Sequence, residues 1–112
     1  MQSQIISFLL SNETSAFIVT DTLTAYLRKD TKMIKRVRTE VIVLSSVFVQ
    51  DKFQGKGIFK DFLNELMLIL HQSDTKVMYA EYICTKQLER FFVCNGWTKV
   101  RGFLNSYYLK IS

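Results

Sequence analysis

Between Glu40 and His71 the apolar pattern changes period once, and the change falls on a loop that holds two glycines and a lysine. Glu40 to Val49 (EVIVLSSVFV) is β-branched and apolar on both faces, as a central strand is. From Gly57 to His71, the residues Phe59, Phe62, Leu63, Leu66 and Leu70 recur at helical spacing and form one stripe. Gly55 and Gly57 let the intervening loop turn tightly and bring its backbone close to a ligand. The helix start leaves unpaired N–H groups, and the positive end of its dipole faces the same space. Together these features suit an anion such as a phosphate or pyrophosphate. The spacing is neither GxxxxGK[ST] nor GxGxxG, since Lys60 stands where the third glycine belongs. A plain glycine turn before a helix is the other reading of the local pattern.

The elements on either side set the fold class. Ser15 to Thr20 and Leu23 to Lys29 flank Asp21-Thr22 as a hairpin does. Lys32 to Arg38 extends that hairpin or forms its neighbour, and the apolar run Gln4 to Leu10 reads as a further strand. Lys76 to Ile83 (KVMYAEYI) is strand-like. Thr85 can cap a short helix to Cys94 in which Leu88, Phe91 and Phe92 share a face. Asn95-Gly96 supplies a left-handed stop. Trp97 to Ile111 reads as two short strands around a turn at Leu104-Asn105-Ser106. The expectation is an α+β fold, a mixed α/β sheet with two main helices covering at least one face.

Composition narrows the setting. A chain of 112 residues is expected to be one domain, divided into an N-terminal hairpin (1–38), a core (40–83) and a C-terminal helix with strands (85–111). Hydrophobic residues at 48% and charged residues at 22% exclude a disordered tail or a coiled-coil rod. Cys84 and Cys94 form no disulfide framework and have no metal-type companions, so reduced thiols and no metal are expected. No secretory leader and no apolar run long enough to span a bilayer is visible, which gives a cytoplasmic expectation with no membrane partner. The net charge of +5 is uneven. From Arg28 to Arg38 six basic residues stand against one acid, Asp30. Such a stretch attracts phosphate on nucleic acid, a nucleotide-bearing cofactor or an acidic protein, or is simply a solvated hairpin.

Gln54-Gly55-Lys56-Gly57-Ile58-Phe59 resembles the pyrophosphate loop of the GNAT N-acetyltransferase superfamily, Gln/Arg-x-x-Gly-x-Gly/Ala. Val49, five residues upstream of Gln54, matches the valine that ends that family's central strand. A second match follows in the right order. Leu88-Glu-Arg-Phe-Phe92-Val-Cys-Asn-Gly96-Trp97 resembles the family helix Ala-x-x-Leu-Tyr-x-x-x-Gly-Phe. The resemblance covers about residues 40–111. It implies a sheet that splays at the central strand, with acetyl-CoA in the gap as acyl donor. The backbone of Val47, Phe48 and Val49 would contact the pantetheine arm. Gln54 and the amides of Gly55, Lys56, Gly57, Ile58, Phe59 and Lys60 would hold the pyrophosphate. Thr85 stands where an asparagine often contacts the arm. The implied reaction is direct acetyl transfer to an amine, with the Val47 amide as oxyanion donor.

Three departures from the family pattern matter. Phe59 stands where Gly or Ala is preferred, which a backbone-built site tolerates. Phe92 replaces the tyrosine that serves as general acid, leaving Tyr82, Tyr107 and Tyr108 as substitutes. Val43 occupies the usual acidic position of the central strand, so Glu81 is the candidate base, ahead of Glu40; burial would raise its pKa, while an ion pair would make it structural. Lys56, Lys60 and Arg90 lie within the two motifs and could reach phosphates. His71 and the aromatic residues Phe91, Trp97 and Phe103 read as structural. Only Ser11 to Ser15 is available for the helical pair that usually walls the acceptor site, so an open site is expected, suited to an amine on a protein or RNA. Assembly as a homodimer is compatible with this reading. The alternative is a GNAT-like domain that has lost catalysis and binds an acidic protein or an RNA.

Overall fold

The computed structural model describes residues 2–81, 86–100 and 105–111. The elements run α1 (Gln2–Leu10), β1 (Ser15–Val19), β2 (Leu23–Ile34), β3 (Val37–Val49), α2 (Ile58–His71), β4 (Val77–Ala80), α3 (Lys86–Cys94), β5 (Thr98–Lys99) and β6 (Tyr107–Lys110). The six strands form one sheet in the order β1-β2-β3-β4-β6-β5. Every neighbouring pair is antiparallel except β3 with β4, which are parallel and joined through α2. This is the expected mixed α/β sheet, with three helices rather than two.

The third helix is α1, where a strand was expected over Gln4 to Leu10. Six consecutive apolar or small residues carry no decisive period. Packing decides it, because Ile5 and Phe8, one helical turn apart, are both buried and join the same core as Phe62, Leu63, Leu66 and Leu70 of α2. Helical cover ahead of the first strand therefore exceeds the five residues expected for it. The amide of Gln4 on α1 also reaches the outer edge of β1, where its Nε2 donates to the Val19 carbonyl at 2.8 Å and its Oε1 accepts from the Val19 N–H at 3.0 Å.

The hairpins also differ from the expected limits. Asp21-Thr22 does separate β1 from β2, but β2 continues to Ile34 and β3 starts at Val37 rather than near Glu40. Lys35 and Arg36 make the turn between them, with φ of 50° and 69°. Positive φ at both central residues is the hand that fits the right-handed twist of the flanking strands.

All three helices pack on one face of the sheet. The core there includes Ile5, Leu27, Ile42, Leu44, Phe62, Met78 and Phe92, each at most 6% exposed. On the opposite face Ile34, Val41, Val43, Val77, Tyr79 and Tyr108 are buried against one another, with Val100 packed beside them. No helix among the described residues is long and apolar enough to cross a membrane.

Candidate active site

β3 is flanked on both sides only at its middle. Ile42, Val43 and Leu44 pair with Met78, Tyr79 and Ala80 of β4, and there the Glu81 N–H reaches the Leu44 carbonyl at 3.4 Å. Beyond that point β3 runs on to Val49 paired, among the described residues, with β2 alone. At the end of the described pairing with β4, β3 carries a β-bulge. Leu27 faces Leu44 and Tyr26 faces Ser46, so Ser45 is an extra residue with no partner on β2. A bulge bends its strand and increases the local twist.

The bulge also sets which backbone groups face the gap. The Gln50 N–H donates to the Thr22 carbonyl at 3.1 Å, so Gln50 and, by alternation, Phe48 face β2. Val47 and Val49 therefore present their N–H and C=O groups to the open side. The Val49 carbonyl accepts from Gln54 Nε2 at 3.0 Å, and the same amide reaches Asp51 Oδ1 at 3.2 Å. Gln54 thus fastens the loop to the end of the strand.

Gly55 and Gly57 both hold left-handed φ, at 76° and 78°, and a Cβ built at either meets nothing within 4 Å. Gly57 is the N-cap of α2 and no side chain caps the helix. The first intrahelical bond runs from the Asp61 N–H to the Gly57 carbonyl at 2.9 Å. The amides of Ile58, Phe59 and Lys60 are left without intrahelical partners, as the first turn of any helix leaves them. A cleft of about 860 Å³ joins these parts. Leu44 to Val47 and Val49 form one wall, Gln54, Gly55 and Gly57 to Lys60 the loop end, and Leu88, Phe91 and Phe92 of α3 the far wall.

Of the residues expected from sequence, Val47, Val49, Gln54, Gly55, Gly57, Ile58, Phe59, Lys60 and Glu81 line this one cleft. Phe48 and Lys56 do not. The Phe48 ring is 61% exposed and lies on the helix-free face, beside its partner Thr24. Thr85 and Tyr82 lie outside the described residues. Tyr107 and Tyr108 are buried but are not part of the lining. Phe92 is fully buried in an aromatic cluster with Phe59, Phe91, Trp97 and Tyr107, at centroid distances of 4.7 to 6.2 Å. Phe59, the residue out of pattern in the loop, packs on Phe91 and Phe92. It ties α2 to α3 across the base of the cleft.

Glu81 sits where β3 and β4 part and is 8% exposed. It is not a lone carboxylate. Its Oε1 accepts from Arg28 Nη1 at 2.5 Å and from Ser45 Oγ at 3.4 Å, while its Oε2 lies 3.7 Å from Lys32 Nζ. Arg28 also pairs with Asp30 at 3.1 Å. The Glu81 hydrogen bond, ahead of Asp30 and against the opposing effect of burial, lifts the Arg28 guanidinium above its ordinary pKa. The Thr31 N–H, with help from Arg28 and Lys32, holds the Asp30 carboxyl below its ordinary 3.8. Two cations and two anions thus close a neutral cluster at the mouth of the cleft. Sequence reading found the buried acid but not Arg28, which is 53 residues away in the chain.

No protein-family model and no curated protein matches the chain. Solved structures do match. The toxin AtaT, as a point mutant bound to acetyl-CoA and the C-terminus of the antitoxin AtaR, aligns with a TM-score of 0.62 at 13% identity, over 80% of this chain and 59% of that one. AtaT complexed with acetyl-methionyl-tRNAfMet aligns at 0.67 with 10% identity, over 80% and 62%. A point mutant of KacT aligns at 0.66 with 11% identity, over 96% and 82%. AtaT and KacT have the GNAT fold. So does this chain. It spans about three-fifths of the AtaT structures it matches. The splayed strands, the glycine loop and α2 form the cleft of that GNAT fold.

Proposed function

We propose that the chain is an acetyl-CoA-dependent N-acetyltransferase acting on an amine carried by a macromolecule. The observation that carries this reading is the free edge of β3 leading directly into a glycine loop and an uncapped helix start. An extended arm can pair with the outward groups of Val47 and Val49. A pyrophosphate fits the amides of Ile58, Phe59 and Lys60, and the open space at Gly55 and Gly57 leaves room for it. AtaT, which shares the fold, has been solved with acetyl-CoA, and that supports the donor assignment.

Acetyl-CoA supplies the activated acetyl group; the chain supplies position and charge. The Val47 N–H donates to the oxygen on which negative charge develops, an interaction worth about 3–4 kcal/mol in acyl transfer. Glu81 Oε1 is committed to Arg28 and Ser45, and Oε2 has only the longer 3.7 Å contact with Lys32 Nζ, so Oε2 is the oxygen that would take the proton leaving the amine. Phe92 holds no proton to give, and the leaving group is protonated by solvent at the open cleft. Isothermal titration with acetyl-CoA is the direct test, with saturable one-site binding as the expected result. No binding at millimolar acetyl-CoA overturns the proposal.

A second reading has one observation in its favour. Phe92, which carries no hydroxyl, is sealed into the aromatic cluster, and the Tyr107 stacked on it is not part of the cleft lining. A domain that binds acetyl-CoA but transfers nothing, and serves as a binding module, accounts for that. Incubation with labelled acetyl-CoA and a cell lysate separates the two readings, because label appears on protein or RNA only for the enzyme.

A further inference from the structure

β2 and β3 outrun their neighbours. β1 pairs with β2 only as far as Arg28, and β4 meets β3 only from Ile42. From Asp30 to Val41 the two strands pair with each other alone and form a two-stranded arm. The turn at its tip is Lys35-Arg36, in the left-handed conformation that Asn-Gly adopts at least cost. Two long cations hold a strained turn in place of the residues that would relieve it. Backbone strain of this kind gathers at functional positions.

The basic stretch read from the sequence divides into two sets. Arg28 and Lys32 are engaged with Asp30 and Glu81. The Lys29 ammonium donates to the Ser11 carbonyl at 2.7 Å and lies 4.8 Å from the Phe8 ring centroid. These three cations belong to the fold. Lys35, Arg36 and Arg38 are exposed, and among the described residues none of them makes an ion pair. No acidic residue occurs from Thr31 to Thr39. The tip therefore gathers three free cations, with the exposed apolar side chains of Met33 and Val37 among them, on a chain whose net charge is already +5.

We propose that this tip, Lys35, Arg36 and Arg38, is a contact for the phosphate backbone of a folded RNA. Three cations within four residues, with no acid from Thr31 to Thr39, complement the closely spaced charges of a phosphate backbone. Two of the three are guanidiniums, whose planar fork matches phosphate oxygens in pairs. An acidic protein face carries its carboxylates among neutral and basic neighbours and matches such a run less well. The arm also sets a length. Val37 and Val47 are ten residues apart on one strand, at most about 33 Å at ~3.3 Å per residue and less by the bend at Ser45. A partner touching both the tip and the cleft must span that distance, as a folded RNA does and a small amine does not. The RNA contact stands on the arm alone; its use in positioning an acceptor rests on the transferase reading above.

The test is fluorescence anisotropy of labelled bulk tRNA against salt, with polyglutamate as competitor. The variant Lys35→Asn/Arg36→Gly/Arg38→Gln removes three charges and installs the turn residues that the backbone prefers, so its melting temperature should not fall. At about 0.7–0.9 salt-slope units per phosphate contact, the variant should lose two to three units of slope and roughly a hundredfold in affinity near 0.1 M salt. Its acetyl-CoA titration should be unchanged, because the arm is not part of the cleft. An unaltered slope, absence of tRNA binding at low salt, or displacement of tRNA by polyglutamate at equal charge concentration overturns the proposal. If acetyl-CoA does not bind while the tRNA slope behaves as described, the transferase reading fails and the RNA contact stands.

Discussion

The two ends of β3 share a geometry and differ in what backs them. Among the described residues each end has one edge without a partner strand, on either side of a middle paired both ways. At the Val47–Val49 end the free edge is walled by the glycine loop and α3, and its side chains pack on the helix-side core. At the Val37–Val41 end the described strands give the arm β2 alone as a pairing partner, Ile34 and Val41 pack on Val77, Tyr79 and Tyr108 of the helix-free face, and the tip beyond them is cationic. An open strand edge is thus no site by itself. A glycine loop and a helix turn one into a slot for an extended ligand, while the other, packed at its root and bare at its tip, is left as a charged lever.

The largest expected effect separates the two ends completely. Gly57→Glu puts a carboxylate where the loop amides face an anion. A Cβ at Gly57 meets nothing within 4 Å, so the fold loses only the left-handed strain, about 1–2 kcal/mol. Calorimetry should show acetyl-CoA binding abolished, circular dichroism a native spectrum, and anisotropy no loss of tRNA binding. Unchanged acetyl-CoA affinity would show that the cleft end is only a turn.

Glu81→Gln sharpens the contrast within the cleft. Turnover should fall by roughly a hundredfold, the lower end of the scale for general-base loss, with acetyl-CoA affinity kept. A variant with wild-type turnover moves proton removal to water or to Glu40. A variant that loses acetyl-CoA affinity instead reduces Glu81 to a structural partner of Arg28.

The smallest effect concerns the cluster between the ends and depends on pH. The Asp30 carboxyl lies below its ordinary value in the folded chain. Its stabilisation is therefore complete above the unfolded value near 3.8 and fades as the pH drops through the lower folded value. Arg28 is shifted upward, and its share is lost only at alkaline pH beyond the working range. Asp30 is over a third exposed, so the whole effect should stay under about 1 kcal/mol. Thermal melts from neutral to acid pH should show Asp30→Asn slightly less stable near neutrality and flatter on the acid side. An identical acid slope in both proteins removes Asp30 from the cluster's energetics.

Local chemistry was legible in the sequence and long-range pairing was not. The Gly55-Lys56-Gly57 loop, the α2 stripe and the Gly96 stop each follow from a few adjacent residues, and each formed where expected. α1 was misread because its helical period shows only once α2 supplies the surface that buries Ile5 and Phe8. The Lys35-Arg36 turn carries no turn residue, so nothing local marks it. Ser45-Ser46 interrupts an apolar run, the one visible trace of the bulge, but a bulge is defined by the partner strand. The Arg28–Glu81 pair depends on β2, β3 and β4 lying side by side, which no short window contains.

Gln4 has a consequence for how the molecule behaves in company. β1 is an outermost strand, and its sequence Ser-Ala-Phe-Ile-Val has neither charge nor proline to discourage another chain from adding to it. Its alternate backbone groups, at Ser15, Phe17 and Val19, face outward like the rungs of a ladder. The Gln4 amide fills the Val19 rung from α1, a side chain imitating the peptide group of a strand that is not there. The template open to self-association is shortened from three rungs to two, and the stopper is carried by a helix instead of by the strand it protects.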